Sequence, residues 1–327
     1  MIDPINHYTP RWLGMAVAFG LAALIMIYLS YSLPRLLPGD FVISMYSSSQ
    51  VTLTSEQETE LRDYYMEDPG FFKYALRLAH LDWGYSYAFL MPVSALFFSA
   101  LPWTLLLLGT AHIVSMFTGF VSGVEVAWRR DSRLEKGMVS TMTILEGIPE
   151  ISTGVVLLVL FALHLEWFPA SGATTAYAEL SFWAKLIDIG HHLVLPLLTL
   201  ILAYFPGNFL LARNSMVMVI KKPYIVTAKA KGLPDRRIRY AHAARNALLP
   251  LVTRFGLRLA FIITGALVVE RIFSYPGLGT LLFNAIKARD LPLIQSVVLV
   301  SSLMVLAIIL CLEIIYRIID PRVAYEH

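Results

Sequence analysis

Four stretches of the chain, residues 12–33, 101–124, 193–212 and 291–312, run apolar without a single charged residue. A helix rises about 1.5 Å per residue, so each is long enough to cross a hydrocarbon core of about 30 Å. Two further stretches, 138–165 and 248–269, have the length but carry Glu146 and Glu150, and Arg254 and Arg258. The pattern therefore predicts an all-α membrane protein of six transmembrane helices in one domain over residues 1–327. The first stretch has an apolar core too long for a signal peptide and no small-residue cleavage site after it, so it is expected to stay in the chain.

Between the first two spans lies a long polar region, residues 34–100. Residues 54–65 open with a Thr cap and acids in the first turn, Asp68-Pro69-Gly70 breaks the chain, and residues 71–81 are amphipathic. Two short helices on or above the membrane surface are expected here. A Pro-Gly turn and a short helix over 280–289 are expected between spans five and six.

Composition agrees with a bilayer as solvent. Of the residues, 57% are hydrophobic and 15% charged, too little polar surface to close around one water-soluble core of this length. The one cysteine, Cys311, lies in an apolar run and excludes an intrachain disulfide; it is expected to pack. The net charge of +3 gives no reason to invoke nucleic acid.

Charge placement orients the spans. Nine Lys or Arg residues from Arg213 to Arg245 face only Asp235, and Arg129, Arg130, Arg133 and Lys136 outnumber the two acids among them. Both loops belong in the cytoplasm by the positive-inside rule. Region 34–100, with eight acids and four bases, sits outside, which puts both termini in the cytoplasm.

The basic loop 213–247 admits two readings: a positive-inside loop resting on anionic lipid, or a shaped docking element. Its order favours the second. Pro223 can begin a helix, Gly232 can take the left-handed stop, Pro234 prevents continuation, and Asp235 sits in the first turn of a second helix reaching about Leu248. Ala228 and Ala230 keep the first helix narrow enough to enter a partner's groove.

The stretch "YIVTAKAKGLPDRRIRYAHAARNALLPLVT" resembles the cytoplasmic coupling loop of oligopeptide and dipeptide ABC importer permeases. "LPRLLPGD", "LDWGYSY", "GIPE", "WFPASG", "VVERIFSYPGLGTLL", "ARDLPLIQ" and a terminal "DPR" follow the family's landmarks in order, over nearly the whole chain. The long first outer loop resembles that of the B-type subunit. The Glu of the wider importer pattern would fall at Val226 and its following Ala at Thr227; both are absent, so Ala228 and Gly232 carry the match. Where the family has a small polar residue after Ile-Pro, this chain has Glu150.

The resemblance implies the type I importer permease fold and a bacterial or archaeal cell membrane. It implies a second, C-type permease, two ABC ATPases holding ATP and Mg, and an extracellular solute-binding protein. Tyr224, Thr227, Ala228, Lys229, Ala230, Lys231, Gly232 and Leu233 would couple to an ATPase. The chain itself has no G-x-x-x-x-G-K-[ST], so it is expected to bind no cofactor and to catalyse nothing. Peptides are the expected cargo, with oligosaccharides or nickel the alternative.

Charges inside a bilayer mark protein interior or water. Counting rise from the span ends puts Glu146 and Arg258 at similar depths, so those two are expected to pair, while Arg254 snorkels and Glu150 lies nearer the midplane. These four and Asn208, beside a hinge at Pro206-Gly207, either pair structurally or line the path. No metal site is expected: His191 and His192 are adjacent and so on different helix faces, and His112 stands alone. A channel or an intramembrane enzyme would need repeated pore-lining polar positions or catalytic groups at matched depth, and neither pattern occurs.

Overall fold

A computed structural model of the chain describes residues 11–36, 41–42, 54–65, 70–176, 179–260 and 267–319. These are almost wholly helical and divide into two compact units, one of Met1–Ser99 with Leu281–His327 and the other of Ala100–Thr280.

In the first unit, helix α1 (Arg11–Ser32) packs along α12 (Leu291–Ile319). Helix α2 (Ser55–Tyr65) starts as the sequence indicates: Thr54 and Gln57 cap it reciprocally, Gln57 N–H donating to Thr54 Oγ1 at 3.4 Å and Thr54 N–H to Gln57 Oε1 at 3.1 Å. Helix α3 (Gly70–Ala79) turns its apolar face onto α1, with Phe71 edge-on to Tyr28 and Tyr31 and Tyr74 hydrogen-bonded to the buried Ser30. A two-stranded hairpin, β1 (Tyr85–Ser86) and β2 (Met91–Pro92), is pinned by Asp290. This fully buried carboxylate accepts from Ser86 Oγ at 2.5 Å and Ala88 N–H at 3.0 Å, and caps α12 by accepting from Leu293 N–H at 3.3 Å. Cys311 does not pack; it lies on the exposed side of α12, where an apolar thiol suits lipid as well as core.

The second unit is built on two long helices. Helix α4 (Val93–Trp128), which contains a π-helical turn at Leu105–Gly109, and α7 (Phe182–Ile220) lie against each other and approach most closely at two glycines of α4. A Cβ added at Gly119 would stand 2.8 Å from Asn208 Cβ, and one at Gly123 would stand 2.7 Å from both Ala212 Cβ and the Phe209 carbonyl oxygen. Two glycines four apart thus make the flat stripe that lets backbones touch where lipid offers no hydrophobic drive. Helix α7 is continuous through Pro196 and Pro206, both buried, so the expected loosening at Pro206-Gly207 does not interrupt it.

Four helices, Gly14–Leu36, Val93–Trp128, Phe182–Ile220 and Leu291–Cys311, are long and apolar enough to cross a membrane. The expected third span is instead two helices, α5 (Arg133–Glu146) and α6 (Glu150–His164), bent by 92°. Pro149 is the cause: it has no N–H to continue α5, sits extended at φ −61°, ψ 140°, and offers its carbonyl to Ser152 and Thr153 N–H to start α6 afresh. Of the expected fifth span, α9 (Leu249–Ala260) and α10 (Leu267–Ile272) are observed, and residues 261–266 lie outside the described residues. Helix α11 (Leu278–Ala288) follows the Pro-Gly turn.

The start of α5 is fastened to α7. Ser132 caps α5 by accepting from Glu135 N–H, and Glu135, 3% exposed, accepts from Asp131 N–H at 2.6 Å and from Arg213 Nε and Nη2 at 2.9 and 2.5 Å. Removing one member of a part-buried pair leaves the other charge without its partner at about 1–3 kcal/mol, whereas removing both leaves nothing unpaired. Arg213→Met is therefore expected to lower unfolding stability by that amount, and adding Glu135→Met to restore most of it. Thermal unfolding in detergent checks this; simple additivity of the two losses would show that the pair is not coupled.

Candidate functional site

The basic loop contains two helical pieces set against a common base. Helix α8 (Pro223–Ala230) begins at an extended Lys222, with Pro223 at its first position. Its end is closed by Lys231 N–H to the Thr227 carbonyl at 3.0 Å, Gly232 N–H to Lys229 at 2.9 Å and Leu233 N–H to Ala228 at 3.4 Å. Gly232 has φ +70°, the left-handed stop the sequence calls for, and nothing lies within 4 Å of where its Cβ would be. Backbone conformation alone, then, demands glycine there. The basic helix follows as Asp235–Arg237, a π-helical stretch Ile238–Ala244, and Arg245–Ala247.

The loop turns one face inward. Ile225 and Ala228 of α8 and Ile238, Ala243, Ala244 and Ala247 of the basic helix share an apolar cluster with Val124 and Ala127 of α4 and Met216 of α7. Ala228 is thus not free to enter a partner's groove, because its methyl group is spent on this chain's own core. The outward face of α8 carries Tyr224, Val226, Thr227, Lys229, Ala230 and Lys231, with Val226 62% exposed, and Leu233 packs at the rim of the cluster.

Around the cluster, polar contacts tie the loop to the end of α4. Glu125 accepts two bonds from Arg239 Nη1, both at 2.7 Å, and one from Tyr240 Oη at 2.6 Å. The hydrogen bond to the Glu125 carboxylate pushes the Tyr240 hydroxyl above its ordinary pKa. Trp128 Nε1–H donates to Asp235 Oδ2 at 3.1 Å.

The embedded charges meet differently from the depth count. A Cβ on Gly207 would stand 2.6 Å from Arg254 Nη2 and 2.7 Å from Glu146 Oε1, so Arg254, not Arg258, lies beside Glu146. Arg254 does not snorkel; its Nη1 donates to the Gly207 carbonyl at 2.8 Å. The two arginines share one face of α9 and differ in depth by one turn; the depth count assumed a straight third span, and the 92° bend after α5 moves Glu146 off that line. Arg258 lies over the Tyr204 ring at 5.0 Å. Glu150, half-buried at the first position of α6, is within the field of Arg258. Asn208 donates to Ser115 Oγ at 3.2 Å across the α4–α7 contact.

Arg254, Arg258 and Asn208 line a narrow cleft with His112, Met116, Tyr204 and Phe255, whose free volume of about 10 Å³ suits one water. His112 is buried, with Nδ1 2.8 Å from the Leu108 carbonyl. A carbonyl only accepts, so Nδ1 carries the proton, and Nε2 faces the cleft without a protein partner. His191 and His192 point to separate partners, the Trp167 and Asp188 carbonyls, and no group of three metal-ligating side chains occurs among the described residues.

Several participants escaped sequence reading. Glu125, Trp128 and the Glu135–Arg213 pair are defined only by what lies opposite them in space. Fully buried Glu270 is another: it accepts from Thr104 Oγ1 at 2.8 Å and Thr280 N–H at 3.0 Å and lies where a Cβ on Gly277 would be. For Glu270 a signal existed, an acid seven and nine residues ahead of Gly277 and Gly279.

Comparison with known proteins agrees with this architecture. Residues 115–325 match the family described as binding-protein-dependent transport system inner membrane component. An oligopeptide transport system permease protein, AppB of Bacillus subtilis, is 34% identical over 301 residues, covering 91% of this chain and 93% of the relative. A glutathione transport system permease protein, GsiC of Salmonella paratyphi A, is 31% identical over 98% of this chain and 100% of its own length. A di/tripeptide transport system permease protein, DppB of Pseudomonas aeruginosa, is 29% identical over 91% of this chain and 94% of its own length. With a family match over most of its length and relatives aligned nearly end to end, the chain belongs to the binding-protein-dependent inner membrane components: it is a multi-pass permease subunit of an ABC transport system.

Proposed function

We propose that this chain is the B-type permease of a peptide importer, forming half of a translocation path with a second, C-type permease. Two ABC ATPases grip it from the cytoplasm, where both its termini lie, and a solute-binding protein delivers peptide from outside. Peptide cargo is supported by the peptide, glutathione and di/tripeptide systems to which the relatives belong by name.

One observation carries the coupling role: α8 is seated on this chain's core by Ile225 and Ala228 while Tyr224, Val226, Thr227, Lys229, Ala230 and Lys231 face outward. Such a helix offers a partner one face and its own spans the other, which is what a lever needs. ATP drives transport only if it binds one arrangement of the spans better than the other, so the loop must carry a free-energy difference between ATPase and membrane helices. The Gly232 stop and Leu233 set the angle at which α8 meets its partner.

The embedded groups supply the path's polarity. Glu150, at the start of α6 and not hydrogen-bonded in any contact described above, favours a cationic group such as a peptide's amino terminus. Arg254 and Glu146 compensate each other over Gly207 and act structurally, while Arg258 and Asn208 stand at the cleft.

Gly232→Val tests the lever. Holding a residue with a Cβ in the left-handed region costs about 1–2 kcal/mol, about tenfold in the population of the docking geometry. Uptake into membrane vesicles should fall by about that factor or more while membrane insertion is unchanged; normal uptake would refute the role. Glu150→Gln tests the path. Losing a charge-assisted contact, worth about 1.5–3 kcal/mol, should weaken uptake of peptides with a free amine about tenfold and leave amine-blocked peptides little affected. Equal losses for both would remove Glu150 from the path.

A further inference from the structure

Three segments of the second unit converge on one ring. Trp128 is the last residue of α4. Lys229 of α8 stands over its face at 5.4 Å, the Arg239 guanidinium of the basic helix stands over the ring at 5.3 Å, and its Nε1–H reaches Asp235 just beyond the Gly232 break. Arg239 is in turn held by Glu125, one helical turn back along α4.

The apolar cluster beneath cannot do the same work. Contacts among alanine, valine, isoleucine and methionine hold the helix down but are non-directional, so they fix its orientation less sharply than directional contacts do. A hydrogen bond from an indole and two cations placed over its ring have preferred directions. These contacts fix the position of α8 and of the basic helix relative to the end of α4, on both sides of the left-handed turn.

We infer that Trp128 is the positioning residue through which displacement of α8 becomes displacement of α4. This inference rests on the coupling role proposed above. Because α4 and α7 are in backbone contact at Gly119 and Gly123, the motion handed to α4 reaches α7 as well. Without the clasp, α8 would still dock on its ATPase, but part of its travel would be lost as swivel on the apolar seat.

The test uses the complete transporter, with both permeases, both ATPases and the binding protein, reconstituted in proteoliposomes with a peptide the wild type carries. Peptide moved and ATP hydrolysed are measured together. Trp128→Leu, which removes ring and donor, should lower peptide moved per ATP by about fivefold or more, the scale of a lost coupling free energy. Complex yield, thermal stability and ATP turnover should stay near wild type. Trp128→Phe, which keeps the ring face, should recover most of the ratio. Asp235→Ala gives a second reading if Trp128→Leu fails to assemble: it removes only the indole's acceptor and should lower the ratio less, in the same direction.

An unchanged ratio in the variants that assemble would overturn the inference. So would transport and ATP turnover falling together with complex yield, since that is the signature of a residue that only holds the fold. If the wild type moved no peptide under ATP, the peptide-importer reading would fail instead, and that result is distinct from either.

Discussion

The backbone contact of α4 with α7 is the constraint on which the second unit depends. In a bilayer no hydrophobic effect drives helices together, so association has to come from close packing and from polar groups that find each other. Gly119 and Gly123 permit that packing by presenting no side chain, and Asn208 adds a hydrogen bond across the same seam. With the two helices joined, Val124, Ala127 and Met216 form one floor, and the basic loop that grows out of α7 folds back onto it. Helix α8 is thereby packed on both α4 and α7, not on one of them alone.

Polar groups in this unit are matched by one another more than by water. Glu135 and Arg213, Glu125 with Arg239 and Tyr240, and Glu146 beside Arg254 each join segments far apart in sequence. Each of these carboxylates has a guanidinium close to it, and for Glu146, inside a helix pair, that limits what the charge costs. Arg258 is placed differently, over the Tyr204 ring at the mouth of a cleft that also holds the unpartnered Nε2 of His112.

Much of this was legible in the sequence because its signals are local. Uncharged runs announced the long helices, and Pro223, Gly232, Pro234 and Asp235 announced the two-helix loop, each residue acting through its own backbone. The family resemblance, spread over motifs along the chain, is matched by the family comparison. What was not legible depends on direction in space. Residues 138–165 were expected as one span, and the right angle at Pro149 was not foreseen, since sequence marks a break without giving its angle. Arg254 and Arg258 were exchanged as the neighbour of Glu146, because depth was counted along a straight span that in fact bends by 92° just after Glu146. Ala228 was read as keeping the first helix narrow for a partner's groove, whereas its small size fits it to the floor of α4 and α7. Nothing local marks Trp128 as the meeting point of Lys229, Arg239 and Asp235.

The central claim is that α8 and α4 move together. It is tested most directly by a distance between paired spin labels on Ala230 and Phe117, both exposed, in the assembled transporter with the native Cys311 replaced by serine. The account predicts the same narrow distance distribution with the ATPases nucleotide-free and ATP-bound. A distribution that shifts or broadens on ATP binding would show the loop sliding on its seat, and would contradict it.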